Sequence, residues 1–249
     1  MRSPKPIDRV IPIAEEQWGL VTRRQAEAAG VPRATMERLT SSDSRLERVA
    51  HGVYRLAGAP IADHLDLRAA WLQLDPGVPG WARRLDQGVI SHRSGASMYE
   101  IGHLPDDRFE FTLPGRKQTR RPDVKLHRAM VAPRDCVHIG GMPVTRPARI
   151  AADLLSERED PGAVAHVVAD ALRSSLEYPS VVASELDGYA QRFGLPRADG
   201  IALLRWLLDL VGDPDQDLWL QSARNRRAHG IDSVAPSPGL RSAAIGIVP

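Results

Sequence analysis

The 249-residue sequence contains one cysteine, Cys136. That excludes an intrachain disulfide framework, a cysteine-based zinc cluster and a CxxC redox pair. A lone thiol between Asp135 and Val137 reads as a small buried hydrophobe. Lysine is nearly as scarce: Lys5, Lys117 and Lys125 are the only lysines among 33 basic residues. No apolar run approaches the ~18 residues of a membrane span, so no membrane partner is expected. No apolar stretch follows Met1-Arg2-Ser3-Pro4-Lys5-Pro6, so no secretory signal is expected and the expected location is the cytoplasm. There is no GxxxxGK[ST] and no GxGxxG after a strand, hence no nucleotide site. The eight histidines form no HExxH or His-x3-His pair, so neither a metal nor a cofactor is expected. Net charge is also missing: 33 basic against 31 acidic residues leaves +2. A basic patch must therefore be local.

What is present suffices for a folded core. Hydrophobic residues make up 43% and charged residues 26%, a globular composition. The length allows one large domain or two ordinary ones. Turn signals separate several short elements in residues 1–60. Leu65, Leu67, Ala69, Ala70, Trp71, Leu72 and Leu74 mark a helix within residues 61–74, and the Pro/Gly-rich run 75–80 reads as a loop. Residues 108–113 and 124–127 alternate with period two, as half-buried strands do, and residues 115–122 read as a hairpin connection between them. From Pro147 to about Val211 the pattern is helical. The expected class is α+β: an N-terminal winged helix-turn-helix over residues 1–60, a larger mixed α/β body with a C-terminal helical region over residues 61–221, and a poorly ordered tail over residues 222–249.

The informative segment is residues 20–57. Thr22 and Gln25 stand at capping-box spacing. Gly30 suits the left-handed end of a helix, and Pro32 precedes a second helix, Arg33-Ala34-Thr35-Met36-Glu37-Arg38-Leu39. Val31, Met36 and Leu39 face inward in this reading. Arg33, Glu37 and Arg38 face out, with Thr35 at the margin. Two short helices joined by a Gly-containing turn follow helix-turn-helix grammar. Leu46, Val49, Tyr54 and Leu56 then suggest two strands with His51-Gly52 at the turn, which completes a winged helix. Residues 20–58 hold seven arginines against four acids, so the positive excess lies in the module that could enter a groove. Arg33, Thr35 and Arg38 are the expected base-groove contacts, and Arg23, Arg24, Arg48 and His51 the phosphate and wing contacts.

The run Gly19-Leu20-Val21-Thr22-Arg23-Arg24-Gln25, then Ala29-Gly30-Val31, then Arg45-Leu46-Glu47-Arg48-Val49 with His51-Gly52-Val53-Tyr54-Arg55-Leu56, resembles the N-terminal domain of the AbiEi antitoxins of type IV toxin–antitoxin and abortive-infection systems. Ile90-Ser91-His92-Arg93-Ser94-Gly95-Ala96 and Gly141-Met142-Pro143-Val144-Thr145-Arg146-Pro147-Ala148-Arg149 with Asp153 resemble the middle region of actinobacterial members. The resemblance covers about residues 10–155. It implies a winged helix that binds double-stranded operator DNA and represses its own operon, and a larger domain that counters a nucleotidyltransferase-like toxin. Histidine at position 51 departs from the basic residue usual at the wing turn. Two other readings keep part of this layout: an orphan winged-helix regulator without a toxin, and an interaction adaptor that never touches DNA.

A second basic cluster spans residues 108–128, seven cations against Glu110 and Asp123. Arg116, Lys117, Arg120 and Arg121 form its centre, a second contact for nucleic acid or a protein partner if it is not simply a solvated loop. Ser91, His92 and Ser94 lack the spacing of a nucleophile elbow, and Ser91 reads as the cap of a short helix. Arg149 and Asp153 stand at i,i+4 and read as a structural pair. Asp213, Asp215 and Asp217 cluster, but the chain has no lysine beyond residue 130, which argues against a nuclease site. No catalysis and no small-molecule substrate are expected.

Overall fold

The structure, a computed structural model, describes residues 5–229 apart from Asp106, with side chains as far as residue 225. It is mixed α and β and divides into two compact units. Among the described residues the first covers 5–98 and 105–145, the second 99–104 and 146–229.

The first unit opens with α1, Pro6–Glu15. Pro6 presets the first helical φ, and the Lys5 N–H donates to the Asp8 carboxylate at 3.0 Å. Val10 and Ala14 face the core. β1 is Leu20–Thr22 and α2 is Arg23–Ala28. The Thr22 hydroxyl accepts from Gln25 N–H at 3.1 Å, and the Gln25 side chain accepts from Thr22 N–H at 2.9 Å, the reciprocal cap expected from their spacing. Gly30 has φ +77°. It ends α2 with Val31 N–H on the Ala26 carbonyl and Gly30 N–H on the Glu27 carbonyl, both at 2.9 Å, a left-handed termination that glycine adopts without steric cost. α3, Arg33–Ser41, follows. β2, Leu46–Ala50, and β3, Val53–Leu56, pair antiparallel across His51-Gly52, and β1 joins the other side in the order β1-β3-β2. One core gathers Val10, Ala14, Val21, Ala26, Val31, Met36, Leu39, Leu46 and Tyr54. The helix pair and hairpin stand where the sequence places them. α1 and β1 complete the winged helix and were not anticipated.

The rest of this unit contains α4, Leu65–Leu74, and α5, His92–Tyr99. It also contains a sheet of β4, Val89–Ile90, β5, Phe109–Leu113, β6, Val124–Arg128, β7, Cys136–Ile139, and β8, Met142–Thr145. The strand order is β6-β5-β4-β8-β7. β5 and β6 pair in parallel, Phe109 beside Val124 and Leu113 beside Arg128. Residues 114–123 are therefore a crossover and not the expected hairpin connection: a parallel partner requires the chain to return to the same end of the sheet. β7 and β8 form a hairpin whose turn residues, Gly140 and Gly141, have φ +54° and +84°, as a type I′ turn demands.

Buried polar bonds seat the winged helix on this sheet layer. Gln17 Nε2 donates to Gln25 Oε1 at 2.6 Å, Gly80 N–H donates to Gln17 Oε1 at 3.1 Å, and Gln25 Nε2 donates to the Val78 carbonyl at 3.2 Å. The Thr22 hydroxyl donates to the Pro76 carbonyl. Trp18 donates to the Gly140 carbonyl at 2.8 Å and carries the Arg68 guanidinium over its ring at 4.5 Å.

The second unit is helical: α6, Pro147–Ser156, α7, Pro161–Arg173, α8, Pro179–Leu186, α9, Gly200–Leu210, and α10, Gln216–His229. Three of these helices start on proline, where a missing N–H costs nothing. Arg146 binds Glu177 in a bidentate pair, Nε and Nη2 donating to the two carboxylate oxygens at 3.0 and 2.6 Å, with the glutamate side chain fully buried. Arg149 and Asp153 pair at 2.7 Å as their spacing indicates. Residues 222–229, expected in the tail, continue α10, and residues 230–249 lie outside the described residues.

Gly30→Ala adds a Cβ to a left-handed residue and sets it 2.8 Å from Arg9 Nη1. The expected loss is about 1–2 kcal/mol of unfolding free energy, measured by urea denaturation. An unchanged midpoint would contradict the termination described.

Candidate nucleic-acid interface

The rotation of α3 about its axis decides what it can touch. Val31 and Met36 are 0% exposed and Leu39 is 4% exposed. Burying such side chains contributes roughly 1.5–3 kcal/mol each. Their spacing leaves Arg33, Ala34, Glu37, Arg38 and Ser41 exposed, with Thr35 half-buried. Arg33 pairs with Glu37 at 2.8 Å, where both side chains are more than half exposed. The hydrogen bond and charge of Glu37 raise the already high Arg33 pKa. An exposed pair of this kind is weak because water and salt screen it, so a phosphate or base can displace it. Arg38 has no ion-pair partner among the described residues, so its charge is available without breaking a pair.

Beside Arg38 the surface closes into a cleft of about 450 Å³ lined by Lys5, Pro6, Ile7, Arg38, Leu39, Asp43 and Arg45. It brings together three cations and one acid, from the start of α1, the end of α3 and the turn before β2. Sequence reasoning did not single out Lys5 or Arg45 as contacts. Pro6, Asp8 and the apolar residues at 7, 10, 13 and 14 carry the helix signal that would have placed Lys5.

The wing is short and fixed. Arg23 N–H donates to the Gly52 carbonyl at 2.9 Å, and Gln73 Nε2 of α4 donates to the His51 carbonyl at 2.8 Å. Arg48 Nη2 lies 3.2 Å from His51 Nδ1. A guanidinium only donates, so Nδ1 is the acceptor in this contact and Nε2 faces away from it. His51 and Arg48 are exposed. On α2, Arg24 is exposed and Arg23 lies 3.4 Å from Glu27.

The second basic cluster is divided by the fold. Lys117 donates to the Leu74 carbonyl. Arg121 binds Asp123 and the Gln73 side chain. Arg116 and Arg120 are exposed and have no ion-pair partner among the described residues.

The remaining polar candidates are held by neighbours within their own unit. Ser91 Oγ lies 2.7 Å from Thr112 Oγ1 and 2.9 Å from His92 Nδ1. The side chain capping α5 is Glu110 of β5, not Ser91: its carboxylate accepts from Arg93 N–H at 2.9 Å and from His127 Nε2 at 3.3 Å. Asp213 is buried against Arg173 at 2.7 Å and accepts from Asp215 N–H at 2.9 Å, while Asp215 and Asp217 are exposed.

Three helices, a three-stranded sheet with a two-residue wing turn and an outward arginine face on the last helix define a winged-helix domain. Residues 8–57 match the family described as transcriptional regulator, AbiEi antitoxin. That match falls on the N-terminal module, the segment that carries the strongest part of the sequence resemblance. Among solved structures the chain is similar to the RV2827C protein from Mycobacterium tuberculosis, at 18% identity and a TM-score of 0.48, over 89% of this chain and 82% of that one. No curated protein matches. No helix among the described residues is long and apolar enough to cross a membrane.

Burial acts to raise the Glu110 carboxyl, but the His127 hydrogen bond, the Arg93 N–H and the nearby His92 outweigh it and hold the group below its ordinary value. Ionised Glu110 thus stabilises the fold above the ordinary carboxylate range, and that contribution is lost as pH falls below about 4. Glu110→Gln is expected to flatten the acid limb of the stability–pH curve. An acid limb identical to wild type would show that the carboxylate carries no such linkage.

Proposed function

We propose that this chain is a cytoplasmic antitoxin of a type IV toxin–antitoxin system that binds its own operator DNA and represses its operon. The observation that carries the reading is the outward face of α3. Buried Met36 and Leu39, with buried Val31 just ahead of the helix, fix it; Arg38 and Arg33 project from it, and Lys5 and Arg45 flank its far end. The match to an antitoxin-regulator family supports the assignment. In this reading α3 lies in the major groove, where Arg33, Thr35 and Arg38 reach base edges. Arg23, Arg24, Arg48 and His51 contact phosphates, as do Lys5 and Arg45. Residues 61–221 carry the toxin-neutralising function, directed at a nucleotidyltransferase-like toxin, and the protein performs no catalysis itself.

Arg38→Ala is expected to weaken binding to the duplex upstream of the chain's own reading frame by about ten- to a hundredfold, or roughly 1–3 kcal/mol. Arg33→Ala should cost less, because it also releases Glu37. An electrophoretic shift unchanged by Arg38→Ala would show that α3 is not the reading helix. Co-expression with an adjacent nucleotidyltransferase-like gene tests the other half. Growth rescue by the full chain is expected, and toxicity undiminished by it would contradict the antitoxin assignment.

A further inference from the structure

The wing turn and the crossover of residues 114–123 are fastened to the same turn of α4. Gln73 uses both ends of its amide: Nε2 donates to the His51 carbonyl at 2.8 Å, and Oε1 accepts from Arg121. One residue further on, the Leu74 carbonyl accepts from Lys117. The opposite side of the wing turn is tied to α2 through Arg23 N–H and the Gly52 carbonyl at 2.9 Å. The start of α2, the wing tip, the end of α4 and the basic crossover therefore form one contiguous surface within a single compact unit. Lys117 and Arg121 are the fasteners, which leaves Arg116 and Arg120 exposed on that surface.

We infer that the crossover is an extension of the wing: Arg116 and Arg120 contact phosphates of the same duplex that α3 reads, and Gln73 is the positioning residue that sets the two basic segments in register. This rests on the DNA-binding reading above. A duplex presents one phosphate per ~1.7 Å of axis, so a cationic loop joined to the wing tip through a single side-chain amide faces the next stretch of the same backbone. Among the described residues Arg116 and Arg120 have no internal partner to give up, so their charges are available for counterion displacement. A protein partner for this loop is the competing outcome.

The test uses the full chain and the duplex upstream of its own reading frame, with affinity measured across a salt series. Each phosphate contact contributes about 0.9 to the slope of log affinity against log salt. The Arg116→Ala/Arg120→Ala variant is expected to lower the slope magnitude by about 2, and Arg116→Lys/Arg120→Lys to restore it, since a point charge suffices for a phosphate. Gln73→Ala should lower the slope without removing any charge. A wild-type slope in the double alanine variant, alongside weakened binding by Arg38→Ala, would overturn the extension and leave the DNA reading standing. Absence of duplex binding by the wild-type chain would overturn both.

Discussion

The outward arginine face exists because the inner side of α3 is pinned. Val31, Met36 and Leu39 are removed from water against Val10, Ala14, Val21 and Leu46. With helical periodicity that leaves one rotation for the helix, and the rotation sends Arg33 and Arg38 outward. The apolar burial is worth several kcal/mol in total, whereas the exposed Arg33–Glu37 pair is screened by water and salt. Packing, not surface charge, therefore aims the helix. The charges are what the aimed helix delivers.

A second constraint fixes the platform beneath. Gln17, Thr22 and Gln25 are nearly fully buried, so each of their polar atoms needs a partner. They find partners in one another and in the backbone of residues 76–80. Losing one such partner would strand a buried amide or hydroxyl at a cost of about 1–3 kcal/mol. The Thr22–Gln25 cap thus does two things. It starts α2, and it seats the winged helix on the layer that carries α4 and the crossover. That shared seat brings residues distant in sequence, such as His51 and Arg121, onto the same glutamine.

The legible part of the chain was the part governed by neighbours along it. Thr22-x-x-Gln25, Gly30 and Pro32 state a helix–turn–helix in local terms, and His51-Gly52 states a turn. The Arg149–Asp153 pair and the long helices after Pro147 are equally local. α1 was hidden by Pro6 and Pro12, although proline at a first helical position favours initiation. β1 and β4 have three and two residues, too few for a period to show. The parallel pairing of β5 with β6 depends on where the chain returns. Alternation in Phe109–Leu113 and Val124–Arg128 marks both as strands but says nothing about their relative direction. Gly140-Gly141 carried a usable hairpin signal. Gln73 carried none, because its role depends on three backbone segments meeting in space.

The central claim is that the exposed side of α3 is the surface that meets DNA. Backbone amide chemical-shift mapping during titration with the upstream duplex tests it most directly. The largest shifts should fall between Arg33 and Ser41, with a second group at His51 and Gly52. The β7–β8 hairpin should stay silent. Shifts centred on that hairpin or on the helical unit, with α3 unmoved, would contradict the account.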